Sequence, residues 1–254
     1  AGGRYIASAV LTVLWSAIIL LDLLNIPFTM SLVTLLLAVV ALALNMARTA
    51  PAGGENGGSL TQQLQGWLQA SGPLVAGLHG AVGLLGLVQY GRVRLEVLSD
   101  AFPYQFDGMY VTAMLLAAGS CLWSALRAER AANSSGVTRN WQLAAVFTLF
   151  SVASTLTIVG IPLTAITLTA EMLFPTAIAA ASLATNSDLR RLAWARAAEL
   201  SACLLLLAGL MVPLGLMEMV DVAAPATWLS LLFALSSICF GLASVHSRRV
   251  GQPL

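Results

Sequence analysis

The run FTMSLVTLLLAVVALALNMA, residues Phe28–Ala47, contains no charged side chain over twenty residues. A helix needs about 20 apolar residues to cross the hydrocarbon core of a bilayer, at a rise of about 1.5 Å per residue. Similar runs recur along the chain. We expect eight membrane-spanning helices, at Tyr5–Leu24, Phe28–Ala47, Pro73–Tyr90, Gly108–Leu126, Trp141–Val159, Pro162–Thr185, Ala197–Met217 and Ala226–Val245.

The composition of the whole chain agrees with these runs. Of 254 residues, 59% are hydrophobic and 9% are charged, whereas about a quarter of the residues in an ordinary soluble domain are charged. We therefore predict an all-α, polytopic integral membrane bundle, with residues 1–254 forming one transmembrane domain. Intrinsic disorder is excluded because apolar residues are too abundant. A disulfide-stapled module is excluded because the three cysteines lie singly in or beside apolar runs.

The arginines predict the orientation of the bundle, because positive residues concentrate on the cytoplasmic side of a membrane. With eight spans, one side holds ten arginines and the other holds only Arg92 and Arg94. The ten are Arg4, Arg48, Arg127, Arg130, Arg139, Arg190, Arg191, Arg196, Arg248 and Arg249. We expect both termini to be cytoplasmic, in a multi-pass protein of the cell (inner or plasma) membrane.

Three segments outside the central spans carry further expectations. The first span is too long for a cleavable signal peptide, and no small-residue cleavage site follows it. Residues 59–70, SLTQQLQGWLQA, place their leucines and Trp67 on one helical face. This pattern predicts a short amphipathic helix lying in the membrane interface, or a cap folded onto the bundle. Residues Gly91–Asp107, on the outer side, are rich in aromatics, which is typical of a membrane-interface belt or of a lid or docking surface.

Glu171 is the ionisable residue predicted to lie deepest in the membrane. It follows Pro162 by nine residues, which places it about 13 Å into the sixth span. Thr164 and Thr167 share its helical face, and Thr157 lies on the fifth span, near its end. A carboxylate on a hydroxyl-lined stripe is typical of a proton or cation pathway. The alternative is a protonated glutamate that, with the threonines, only joins helices.

His79 is the candidate cofactor ligand. It lies in the third span among Gly77, Gly80, Gly83 and Gly86, and small residues allow a backbone or a flat cofactor to approach. A buried histidine can ligate the metal of a haem or chlorophyll-type pigment. The commoner alternative is a lone histidine with a hydrogen-bond partner. The sequence leaves the cofactor unknown.

Arg190, Arg191 and Arg196 form a cytoplasmic basic collar at the start of the seventh span. We expect Arg196 to pair with Glu199, three residues further on. The collar is typical of contact with anionic lipid, and the alternative is binding of an anionic substrate. Asp22, Glu218 and Asp221 form an acidic rim on the opposite side.

Several chemistries find no support in the sequence. The twelve basic residues are all arginine, which excludes a lysine Schiff base. No cluster has the spacing of a metal site and no nucleotide-binding loop is present. No basic stretch alternates with aromatics, so nucleic acid is not an expected partner. A non-enzymatic role is therefore favoured.

Three classes of function fit these features. The preferred one is a small transporter or channel that moves a proton, a cation or a small solute, with Glu171 as the coupling group. The second is a non-catalytic or cofactor-holding subunit of a larger membrane complex or a homo-oligomer. The third is a membrane sensor or a lipid-binding protein that uses the outer aromatic loop. The lipid bilayer is a partner in all three.

Overall fold

The computed structural model describes residues 2–24, 29–49, 59–95, 108–161, 164–211 and 225–249, in which it forms nine helices and no strand. In chain order these are α1 (Gly2–Leu23), α2 (Met30–Thr49), α3 (Ser59–Gln69), α4 (Gly72–Leu95), α5 (Gly108–Arg130), α6 (Ser134–Ile158), α7 (Ala165–Ala184), α8 (Asp188–Met211) and α9 (Pro225–Arg249). The predicted all-α class is confirmed for these ranges.

Five of the described helices are long and apolar enough to cross a membrane. They contain Met30–Arg48, Gly108–Arg130, Ala165–Ala184, Asp188–Leu210 and Ala226–Val245. α3 and α4 are bent by 45° relative to each other, and if this pair is counted as one span the total is six. The apolar part of α1, Tyr5–Leu21, is shorter. The chain is thus a helical membrane-embedded protein, and the number eight and the side of the termini stay predictions.

Two hydrophobic cores organise the helices, and each core defines a bundle. The first bundle consists of α2, α4, α5 and the inward face of α6, around the fully buried Tyr110, Met114 and Phe147. The second bundle consists of α7, α8 and α9, around Leu168 and Leu205, with Leu149 of α6. Both cores contain many alanines, because small residues let helices approach closely where lipid removes the hydrophobic drive for association. α6 contributes to both cores and joins the bundles.

Several helices continue beyond the apolar runs that predicted them. Residues 127–140 were expected to form a loop, but α5 extends to Arg130 and α6 begins at Ser134. Asn133 caps α6, because its Oδ1 accepts the N–H of Gly136 at 3.1 Å. α8 likewise begins at Asp188 rather than Ala197. Hydropathy marks only the apolar part of a helix, and these polar first turns are helical because of local capping.

The predicted amphipathic helix at 59–70 is present as α3. The Trp67 ring stacks on Tyr5 of α1, with ring centroids 5.5 Å apart. α3 therefore packs against the bundle through α1 and α2, which agrees with the predicted alternative of a cap. In the aromatic segment Gly91–Asp107, α4 continues to Leu95. Residues 96–107, Glu218, Asp221 and the side chain of Asp22 lie outside the described part of the structure.

Candidate functional site

A polar cavity of about 400 Å³ opens at one end of the first bundle, where α2 and α5 end and α4 and α6 begin. Its walls come from all four helices and from the last residue of α3. The lining side chains that can form hydrogen bonds are Asn45, Arg48, Gln69, His79, Ser124, Arg127, Asn133, Arg139 and Asn140. We refer to this space as the polar cavity.

A buried hydrogen-bond network forms the floor of the polar cavity. The Asn45 amide of α2 donates to the carbonyl oxygen of Ser120 at 2.9 Å and to the Ser124 hydroxyl at 2.8 Å. His79 Nε2 lies 3.0 Å from the Ser120 hydroxyl. Asn45 and His79 are each 2% exposed. Because buried polar groups are retained only when they are hydrogen-bonded, the network connects α2, α4 and α5 in one arrangement.

Three arginines line the cavity above this floor. The Arg48 guanidinium lies against the first residue of α4, since a Cβ built on Gly72 would be 3.0 Å from Arg48 Nη2. Arg48 Nε is buried and has no hydrogen-bond partner among the described residues. Arg127 lies in the last turn of α5, and Arg139 lies near the start of α6; both side chains are exposed. No aspartate or glutamate is among the residues that line the cavity.

His79 lies in this network as a hydrogen-bonded histidine. One ring nitrogen is within hydrogen-bond distance of Ser120, and Phe147 lies beside the ring with a centroid distance of 6.4 Å. A haem or pigment ligated through Nε2 would have to displace the Ser120 hydroxyl. Within the described residues no group of three or more histidine, cysteine, aspartate or glutamate side chains could hold a metal ion. The sequence has one other histidine, His246, and its side chain lies outside the described set.

The four glycines around His79 do not form one face of α4. Gly77 and Gly80 are exposed, and a Cβ there would meet open space. Gly86 is buried, and a Cβ there would be 3.1 Å from Met114 Sδ. A spacing of three residues falls short of the 3.6 residues of a helical turn, so the series winds around the helix to the opposite side. The four glycines therefore provide no continuous surface along α4.

Glu171 lies in the second bundle, away from the polar cavity. It is 4% exposed, on α7, which packs mainly against α8 and α9 and only slightly against α6. α7 runs through Pro175, and this residue has no N–H to donate to the carbonyl of Glu171. The structure thus agrees with a buried carboxyl group in α7. The helices that pack mainly against α7 are α8 and α9.

The threonines predicted to lie beside Glu171 cap its helix. Thr164 is the N-cap of α7, and its hydroxyl accepts the N–H of Thr167 at 3.2 Å. Thr167 Oγ1 accepts the N–H of Thr164 at 2.9 Å, which completes a capping box. The two hydroxyls therefore have a structural role at the start of the helix. The side chain of Thr157 lies outside the described set.

The basic collar is neutralised by acids. Arg190 donates to Glu129 at 3.0 Å, Arg191 to Asp188 at 3.3 Å and Arg196 to Glu199 at 2.8 Å. The pairing of Arg196 with Glu199 confirms the expectation from their spacing. Because each guanidinium already has a carboxylate partner, the collar is a weaker candidate for an anionic substrate than the polar cavity.

Sequence reasoning missed the polar cavity, although two signals for it were present. Asn45 is the only amide side chain in the uncharged run Phe28–Ala47, and such a group needs a partner inside the membrane. Arg48, Arg127 and Arg139 were interpreted only as signals of orientation. Comparison of the chain with protein-family models, with curated proteins and with solved structures finds no match.

Proposed function

We propose that this chain is a small transporter or channel of the cell membrane that moves a small solute, with Glu171 as a proton-coupling group. In this proposal eight helices cross the membrane and both termini are cytoplasmic. The excess of arginines on one side supports this orientation. The polar cavity then opens to the cytoplasm, because Arg48 and Arg127 lie at the arginine-rich ends of α2 and α5.

The observation that carries the proposal is the polar cavity itself. Asn45 and His79 are polar groups buried inside the bundle, and such groups are costly unless they serve a pathway or a site. Here a volume of about 400 Å³ is lined by arginine, histidine and amide side chains. That volume falls within the range of pockets that hold small molecules, about 300–1,000 Å³.

Glu171 gives the proposal its coupling group. An ionisable side chain inside a membrane bundle is costly, so a buried carboxyl group is a candidate for a proton pathway. Glu171 is on the helix that continues through Pro175, and a missing backbone hydrogen bond is a common site of helix bending. Bending of α7 at this point would alter the surroundings of the carboxyl group and link proton uptake to a change of conformation.

The test is flux in proteoliposomes that contain the purified chain and a trapped pH-sensitive dye. Gradients of sodium chloride, sodium phosphate and sodium citrate are imposed in turn, and the proton movement that accompanies each is recorded. We expect Glu171→Gln to reduce proton-coupled flux at least tenfold. Glu199→Gln is the matched control, because Glu199 is paired with Arg196 and partly exposed, and its replacement should leave the flux unchanged. Equal flux in wild type and Glu171→Gln would refute the coupling role.

A second pair of variants tests the cavity as the pathway. Ala76 lines the polar cavity, whereas its neighbour Gly77 is exposed on the outer surface of α4. Ala76→Phe should fill the cavity and abolish flux, and Gly77→Phe should preserve it. Flux that survives Ala76→Phe would place the pathway elsewhere in the molecule.

A further inference from the structure

We infer that the polar cavity binds an oxyanion group, a phosphate or a carboxylate, held by Arg48, Arg127 and Arg139. This inference rests on the proposed function, because it assigns a chemical class to the solute. It concerns a site that the sequence alone did not indicate.

The first argument is charge. Arg48, Arg127 and Arg139 line the same cavity, and no aspartate or glutamate lines it with them. Among the residues that the structure describes, none of the three arginines forms an ion pair. Like charges that line one cavity repel each other, and solvent screens this repulsion least at the partly buried Arg48. A bound anion would remove this repulsion.

The second argument is the geometry of the donors. A guanidinium presents five N–H groups in a planar fork that fits the two oxygens of a carboxylate or a phosphate. Arg48 is the best placed, since it reaches over Gly72 and its Nε has no described partner. Ser124 accepts from Asn45, so its own hydroxyl hydrogen remains to donate to a ligand. The site therefore supplies donors from two sides.

An oxyanion in this cavity can come from two sources. A free solute such as phosphate or citrate presents the same group as the headgroup of an anionic phospholipid. The probes in the experiment are therefore sodium phosphate, sodium citrate and a short-chain phosphatidylglycerol, with choline chloride as a cation control. Each is titrated calorimetrically into the purified full chain in a neutral detergent at low ionic strength, because salt screens exposed charges such as Arg127.

The variants are chosen so that charge and position are separated. Arg48→Gln should weaken binding of the tightest anionic probe at least tenfold, and Arg127→Gln should weaken it severalfold. Arg130→Gln removes the same charge from the same helix, but Arg130 does not line the polar cavity. We expect less than a twofold change there. If Arg48→Gln does not purify as a single species, Arg139→Gln, whose side chain is exposed, replaces it with the same expectation.

The outcomes separate the two sources and the two proposals. Tighter binding of phosphate or citrate supports a soluble solute, and binding of phosphatidylglycerol alone supports a lipid headgroup. Absence of binding by all three anions, or equal losses in Arg48→Gln and Arg130→Gln, overturns the inference. Anion binding without flux refutes only the transport function, and flux without anion binding refutes only the anion site.

Discussion

The arginines of the two bundles differ in whether they have carboxylate partners. At the start of α8, Arg190, Arg191 and Arg196 each donate to a carboxylate. Around the polar cavity, Arg48, Arg127 and Arg139 have no acid among the lining residues. Glu129 makes the contrast clear: it lies two residues from Arg127 on α5, yet it pairs with Arg190 of α8. Arginines that give the same orientation signal in the sequence can therefore be ion-paired in one bundle and line a candidate binding site in the other.

The largest effect is expected from a substitution that adds a carboxylate to the polar cavity, whose lining contains no acid. Ala76→Glu places a carboxylate on the α4 wall of the polar cavity, where it can pair with the arginines and occupy the position of the anion. We expect affinity for the anionic probe to fall at least tenfold, which is about 1.4 kcal/mol. Calorimetric titration measures it. Ala76→Gln has the same size without the charge, and an equal loss in that variant would show that space rather than charge is responsible.

A second prediction concerns the network that joins the helices of the first bundle. Asn45→Leu removes the hydrogen bonds from α2 to Ser120 and Ser124, and it should lower the free energy of unfolding by about 1 kcal/mol. Unfolding in mixed micelles of increasing SDS content gives this value. Ala43→Leu, at an exposed position on the same helix, should change it by less than about 0.5 kcal/mol. Equal stability of Asn45→Leu and wild type would contradict the role of the network.

A third prediction concerns Arg190, one of the arginines at the start of α8 that pair with an acid. Glu129→Gln leaves Arg190 without its carboxylate and should cost about 0.5 kcal/mol, because the pair is partly exposed and screened by solvent. A double-mutant cycle with Arg190→Gln isolates the interaction. If the changes in free energy of unfolding of the two single variants are strictly additive, the ion pair contributes nothing to stability. The contrast between the bundles is then one of geometry alone.

The smallest expected effect compares two glycines of α4. Gly80→Ala faces open space and should stabilise the chain by a few tenths of a kcal/mol, because alanine loses less backbone entropy in a helix. Gly86→Ala should have the opposite sign, since its Cβ would press on Met114 and Phe150, both buried. The same SDS unfolding series measures both. The same sign for both variants would contradict the description of the two faces of α4.

Much of the helical framework was predictable, because apolar runs and amphipathic spacing are local properties of the chain. α2 and α3 lie within a few residues of their predicted bounds. The polar first turns of α6 and α8 were not predicted, since a search for apolar runs ignores helical residues that lie outside the membrane core. Local capping by Asn133 was the signal that could have extended α6.

The polar cavity could not be predicted because it depends on contacts between distant parts of the chain. Asn45 and Ser120 are 75 residues apart in sequence and meet through the packing of α2 against α5. Glu171 could be identified as buried from its surroundings in the sequence, but the helices that pack against α7 could not. These are mainly α8 and α9.

The short connection between α5 and α6 matters for anyone who would insert a reporter into this protein. Only three residues separate the helices, the Asn133 N–H donates to the Ala128 carbonyl at 2.9 Å, and Ala132 has a left-handed backbone at φ 53. An epitope or fluorescent domain is tolerated where the backbone makes few such bonds. An insertion at this point would break these backbone contacts and would also separate Arg127 from Arg139. A tag that was meant to leave the protein unchanged would therefore disturb both the connection and the polar cavity.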